Sequence, residues 1–246
     1  MSAALITVED LSMGWEDGNL LEHASFEVQR GEVFAILGGS GCGKSTLLRC
    51  LTGLDEPKAG TIKIEGVGAP NLEVGRPAYG VMFQGGALFG SMTVGENVAL
   101  ALTEWTSLPD DAVQAIVRAK LRLVGLSGFE NHRPSEISGG MKKRAAIARA
   151  MALEPSLLFL DEPSAGLDPV SAVELDELII TLSEGLGLTV VLVTHELESI
   201  FKIVRSCIML DKKTKSIIAR GDPRELRDGD SGGEIKRFFT RSLEEV

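Results

Sequence analysis

Apolar positions along this chain recur with two different periods. Short apolar or alternating runs, rich in β-branched residues and bounded by turn formers, predict strands at 5–11, 24–28, 33–37, 61–65 and 79–83. Four more follow at 157–160, 189–193, 207–210 and 216–219. Between Phe83 and Leu157 the period lengthens, and 94–102, 111–124 and 138–153 carry apolar residues at helical spacing. The pattern predicts one α/β domain over 1–246, with a core from 1–86 and 154–227 and a mostly helical insert at 87–153.

End signals support these elements. A helix over 44–52 leaves a glycine-rich loop and stops at Gly53, a natural residue for the left-handed position after a helix. Asp168 followed by Pro169 supplies an N-cap and a first-turn proline for a helix to about 183. The run DGDSGG at 228–233 reads as a flexible connector, setting off a tail at 228–246. Within it, 235–241 places apolar residues at i, i+3 and i+4. That pattern predicts a short amphipathic helix docking either on a partner or second copy, or on its own domain.

Composition narrows the class. A chain of 246 residues with 44% hydrophobic and 24% charged residues is long enough for a full core and ordinary for a soluble protein. Its apolar runs are strand-length, far short of a membrane span, and Met1 is followed by no basic-then-apolar leader. A cytoplasmic protein is expected, held against a membrane only through a partner. A net charge of −10 argues against nucleic acid as a partner. Cys42, Cys50 and Cys207 have no metal-ligand spacing and suit free thiols in a reducing compartment.

The candidate chemistry begins at GGSGCGKST: Gly38, Gly39, Ser40, Gly41, Cys42, Gly43, Lys44, Ser45 and Thr46. A predicted strand precedes it and a predicted helix follows, which is the context a phosphate-binding loop needs and a mere glycine-rich turn lacks. Backbone N–H groups and the helix start would hold phosphates, Lys44 would hold the β- and γ-phosphates, and Ser45 would offer a hydroxyl to Mg²⁺. The apolar strand ending in Asp161 and Glu162 would deliver one carboxylate to Mg²⁺ and a second to polarise the attacking water. Ser138, Gly139 and Gly140 open a helix carrying Lys142, Lys143, Arg144 and Arg149, which reads as a second anion site. One nucleotide needs one cradle, so two phosphate-binding elements in one chain predict sites shared between copies.

Gln84 ends a strand, Asp168 lies just beyond Glu162, and His195 ends the strand at 189–194. With GGSGCGKST, SGGM, LLFLDEP and SAGLDP in this order, the chain resembles the ATPase subunits of ABC transporters, over about three-quarters of its length. The resemblance implies a P-loop, RecA-like core with an antiparallel β subdomain and an inserted helical subdomain. It implies a head-to-tail homodimer with ATP and Mg²⁺ between each phosphate loop and the other copy's Ser138, Gly139 and Gly140. Trp15 would stack on adenine, and Gln84 would sense Mg²⁺ and a membrane subunit. His195 would contact the γ-phosphate, and Asp168 would reach the opposite protomer.

One residue departs from the family pattern. Met141 stands where the signature usually has glutamine, and its thioether cannot donate a hydrogen bond as an amide does. Met141, with the stretch from Phe83 to Val94, resembles the ATPases of Mla-type lipid transport systems, which work with MCE-domain and accessory subunits. That resemblance implies the cytoplasmic side of a bacterial inner membrane, and an integral-membrane permease received by a groove that includes Leu88, Phe89, Met92 and Val94. Rival readings are another ABC importer or exporter, a chromosome-structure ATPase, and a paired-cassette translation factor. The chain carries no long heptad run and a single cassette, which counts against the last two.

Overall fold

The alternation at the start of the chain becomes a long hairpin. In the computed structural model, which describes residues 4–16, 18–71, 75–229 and 233–240, β1 (Ala4–Trp15) pairs antiparallel with β2 (Gly18–Gln29). Ala24, Phe26 and Val28 of β2 alternate in facing the interior, and Leu21 is buried ahead of a break at His23, φ 51°. β1 runs past the predicted end at Leu11 because register shifts, with Asp10 at φ 51, break the alternation without ending the strand.

These strands belong to a unit drawn from Met1–Val74 and Thr189–Val246. Within it, β4 (Ala59–Ile64) completes a three-stranded antiparallel sheet in the order β2-β1-β4. Every residue of β3 (Val33–Gly38) is buried, as expected of a strand covered on both faces. It lies between two parallel neighbours, β7 (Thr189–Val193) and β8 (Ser206–Asp211), and β9 (Ser216–Gly221) adds antiparallel to β8. The helices of this unit are α1 (Lys44–Leu51), α6 (Leu197–Ile203), α7 (Pro223–Asp228) and α8 (Gly233–Thr240).

α8 bears on the two docking readings of the tail. Phe239 is buried with its ring 5.6 Å from that of Phe201, and the Arg227 guanidinium lies 4.6 Å from the Phe201 ring centre. Phe239 thus packs on its own unit, as the own-domain reading expects, while Ile235 and Phe238 of the same face stay partly exposed. The connector residues 230–232 and the tail end 241–246 lie outside the described residues.

The second unit is Gly75–Leu188. It contains β5 (Gly80–Met82), α2 (Val94–Trp105), α3 (Asp110–Leu123), α4 (Gly139–Ala150), β6 (Leu157–Asp161) and α5 (Pro169–Ile180). β5 and β6 are parallel, with Met82 opposite Leu160, so both strands deliver their C-terminal residues to one edge. α2 opens with a capping box in which the Thr93 hydroxyl accepts from the Glu96 N–H and the Glu96 carboxylate accepts from the Thr93 N–H. α5 passes into a π-helical stretch, Thr181–Gly185, where the sequence predicts a helix to about 183.

Candidate nucleotide site

The phosphate loop starts where β3 is squeezed against its neighbour. A Cβ on Gly38 would lie 2.4 Å from the Leu210 carbonyl oxygen and 2.7 Å from Cys42 Sγ, and φ there is 141°, so only glycine serves. Gly39, Ser40 and Gly41 are exposed, and Gly43 opens α1 at φ 99° with no side-chain cap. The first turn of α1 carries no acidic residue, so the helix start keeps its favourable field for an anion. Lys44 Nζ donates to the Gly38 and Gly39 carbonyls at 2.9 Å each, which lays the ammonium across the mouth of the loop. Ser45 is exposed and Thr46 partly so. The Cys42 side chain is buried, and burial pushes its thiol pKa up, so only its backbone faces the loop as a ligand group.

Two further predicted residues belong to the same unit. Trp15, 57% exposed, ends β1, and a Cβ on Gly43 would meet Met13 and Leu20 of the adjoining hairpin at 3.1–3.2 Å. An aromatic face thus stands on the hairpin that packs against the loop. His195 follows β7, which pairs in parallel with β3 (Ile36 opposite Val193), so it leaves the same edge as the phosphate loop. It is exposed, with Nε2 3.4 Å from Glu196 Oε1.

The second unit holds the remaining candidates. Glu162 follows β6 immediately, is 9% exposed, and adopts φ 47°, a left-handed conformation uncommon for a residue with a side chain. Asp161 is partly exposed at the strand end, and Gln84 is exposed two residues beyond β5. At the start of α4 the Ser138 hydroxyl accepts from the Met141 N–H at 3.2 Å. A Cβ on Gly140 would lie 3.2 Å from the Ser171 side chain, so the start of α4 packs closely on the first turn of α5. Asp168 caps α5, its Oδ1 accepting from the Val170 and Ser171 N–H groups at 3.1 and 3.0 Å. Hydrogen bonds from Ser171 hold its pKa below the usual carboxylate value. Two helix starts therefore meet at one exposed corner.

The four basic residues of α4 do not form one surface. Lys143 is buried, and its Nζ donates to the Glu162 main-chain carbonyl at 3.1 Å; burial lowers its pKa, against the raising influence of Glu162 and Asp161. Arg144 pairs with Glu174 of α5, and Arg149 donates to the Ala87 and Gly86 carbonyls at 2.7 and 2.9 Å. The signal for these internal roles was the apolar company of Lys143 and Arg149 along α4, where Ala145, Ala146, Ile147 and Ala148 are all buried. Sequence reasoning also missed Asn97, a fully buried amide that accepts from the Phe89 N–H at 2.8 Å and donates to the Phe89 carbonyl at 3.1 Å. Of the expected partner groove, Phe89 is 52% exposed while Val94 is fully buried under the helices. Val94 is therefore core, because it begins α2 on its inward face.

A buried parallel strand, a glycine loop ending in lysine and an uncapped helix start define a P-loop nucleoside triphosphatase. The chain belongs to the ABC transporter family, whose description "ABC transporter" matches residues 21–165. It is an ATPase of that family. It is 39% identical to the intermembrane phospholipid transport system ATP-binding protein MlaF of Escherichia coli K12, over 95% of this chain and 92% of that protein. It is 42% identical to the probable ribonucleotide transport ATP-binding protein mkl of Mycobacterium leprae, over 77% of this chain, and spans 56% of that relative's length. Among solved structures it resembles cbiO1 of Clostridium perfringens, part of the ABC transporter complex cbiONQ, with TM-score 0.81, 29% identity and coverage of 98% and 96%. It also resembles the dimeric ATP-binding cassette MJ0796 in a post-hydrolysis state bound to ADP and Pi, with TM-score 0.78, 27% identity and coverage of 88% and 98%.

Proposed function

We propose that this chain is the ATP-hydrolysing subunit of a membrane complex that moves phospholipid between bacterial membranes. The observation that carries the cargo is the end-to-end match to MlaF, which spans 92% of that protein, against 56% of the mycobacterial relative named for ribonucleotides. The chemistry rests on the two groups of residues described above. Lys44 and the loop N–H groups hold the phosphates, Trp15 stacks on adenine, and His195 contacts the γ-phosphate.

The donor set suits a hard divalent cation. The Ser45 hydroxyl, the Gln84 amide oxygen and the Asp161 carboxylate are all oxygen ligands, as Mg²⁺ prefers, and no cysteine or histidine competes among them. Bound Mg²⁺ would neutralise charge on the β- and γ-phosphates. Glu162 acts as general base toward the attacking water, and its burial beside Lys143 fixes where its carboxylate starts.

Two copies close head to tail, each ATP lying between one phosphate loop and the partner's Ser138, Gly139 and Gly140. The start of α4, at the exposed corner, supports this reading, because Ser138, Gly139 and Gly140 open that helix with no acidic residue in its first turn, which favours an anion; at α5 the Asp168 carboxylate already takes the Val170 and Ser171 N–H groups. Val170 and Val173, both exposed beside Asp168, give that corner an apolar margin for a second copy. Phe83, Leu88, Phe89 and Met92 form the surface for an integral-membrane permease, with MCE-domain and accessory subunits beyond it. The complex sits at the cytoplasmic face of the inner membrane, and among the described residues no helix is long and apolar enough to cross it.

Glu162→Gln and Lys44→Ala test the assignment. General-base catalysis contributes about 10²–10⁴-fold, so Glu162→Gln should lower turnover by about a hundredfold or more while ATP still binds. Lys44→Ala should weaken ATP binding itself. Stimulation of the wild-type ATPase by its membrane complex in phospholipid vesicles tests the cargo. Unchanged turnover in Glu162→Gln would overturn the choice of base.

A further inference from the structure

We infer that Lys143 is a positioning residue for catalysis: it fixes the main chain of Glu162 and ties it to the helix that begins with Ser138, Gly139 and Gly140. The inference rests on the reading of Glu162 as general base and deepens it. Lys143 lies in the second turn of α4, with its side chain turned inward and only 6% of the residue exposed. Its Nζ donates to the Glu162 carbonyl oxygen at 3.1 Å. Burying an ammonium is costly unless it finds partners, and here the partner is one peptide oxygen beside two carboxylates, Asp161 and Glu162.

The peptide it holds is an unusual one. Glu162 is one of the few non-glycine residues with positive φ, at 47°, and such a conformation persists only where the surroundings over-determine it. The backbone at Glu162 sets the direction of its Cα–Cβ bond, so a donor that fixes this carbonyl fixes the point from which the carboxylate reaches. Because α4 starts at the signature, any shift of Ser138, Gly139 and Gly140 reaches Glu162 through one rigid helix turn and one hydrogen bond. In the proposed dimer those three residues serve the ATP of the partner, so Lys143 would link the occupancy of one site to the geometry of the other.

A misplacement of about 1 Å in a catalytic group costs up to ~100-fold in rate, which sets the scale of the expected effect. In the intact transporter complex, Lys143→Met keeps an unbranched side chain of nearly the same length and removes the donor. It should lower kcat for ATP by about ten-fold or more, with the dissociation constant for ATP changed by less than about two-fold, because the lost interaction acts in the transition state. Lys143→Gln, which retains a donor, should recover most of that rate.

The decisive arm is a double-mutant cycle in single-turnover hydrolysis. If Lys143 acts through Glu162, adding Lys143→Met to Glu162→Gln should cost less than about two-fold further. Wild-type kcat in Lys143→Met would overturn the inference, as would a loss that multiplies fully with Glu162→Gln, or one that appears equally in ATP binding. Should Lys143→Met fail to fold, Lys143→Leu carries the cycle, and the same loss of about ten-fold or more and the same non-additivity are required of it. Normal turnover in Glu162→Gln alone would instead sink the base assignment, which separates the two failures.

Discussion

Cys42 occupies the middle of the phosphate loop, where an exposed thiolate would be open to oxidation and alkylation. Its side chain instead packs inward against Gly38, and burial raises its pKa. The same cause pushes Cys50 up to about 11 and Cys207 up to about 12. The thiolate is the reactive species, so at pH 8 only about one Cys50 in a thousand is ionised in the folded protein, against roughly a quarter for an ordinary thiol. The linkage has a definite sign. These pKa values are raised on folding, so the stability contributed by keeping the thiols neutral is complete below about pH 8.5 and is lost as pH climbs toward 11 and 12. Labelling with a thiol reagent at pH 8 should be slow for all three cysteines in the native protein and fast once urea unfolds it. Rapid native labelling of Cys42 would contradict the burial argument.

At the scale of elements, the segment between β5 and α2 depends on two clamps from outside it. Arg149 of α4 bonds the Gly86 and Ala87 carbonyls, the latter residue at φ 47°, and Asn97 of α2 brackets Phe89 through both main-chain groups. Replacing Asn97 by Leu would leave the Phe89 N–H unpaired and remove one of two donors from the Phe89 carbonyl, which the Met92 N–H still reaches at 3.1 Å, at a cost of about 1–3 kcal/mol. The expected result is a lower urea midpoint and faster hydrogen exchange over residues 85–92, with ATP affinity unchanged. Unaltered exchange there would mean that Arg149 alone holds the segment. Strand runs, the glycine loop, the Asp168 cap and the acidic end of β6 are local signals, and each carries its own geometry. Asn97, Lys143 and Arg149 look like ordinary polar helix residues, because their partners lie tens of residues away or in another element. The extension of β1 was hidden for a related reason: the bulge at Asp10 shifts the period that pattern reading relies on. The candidate site is therefore legible as a set of ligand types, while the scaffold that holds its segments is not.

At the scale of the whole molecule, charge and apolar surface point to different partners. A net charge of −10 keeps the chain soluble and gives it little attraction for anionic lipid or nucleic acid. Among the described residues none of the helices can cross a bilayer. Attachment to a membrane complex must then come from a local surface rather than from the overall field. Phe89 and Phe83, 52% and 39% exposed on a segment held by Arg149 and Asn97, are the large aromatic side chains best placed for that. Aromatic anchors at the centre of an interface contribute about 2 kcal/mol or more each, so Phe89→Asp should weaken association with the membrane subunit by about 30-fold or more. Because the side chain already faces water, the same change should leave the folding midpoint and the ATP affinity of the isolated chain where they are. Copurification with the membrane subunit and partner-stimulated ATPase activity should fall together, while basal hydrolysis persists. Retained association in Phe89→Asp would move the docking surface away from this segment, and the exposed apolar residues beside Asp168 would be the next to test.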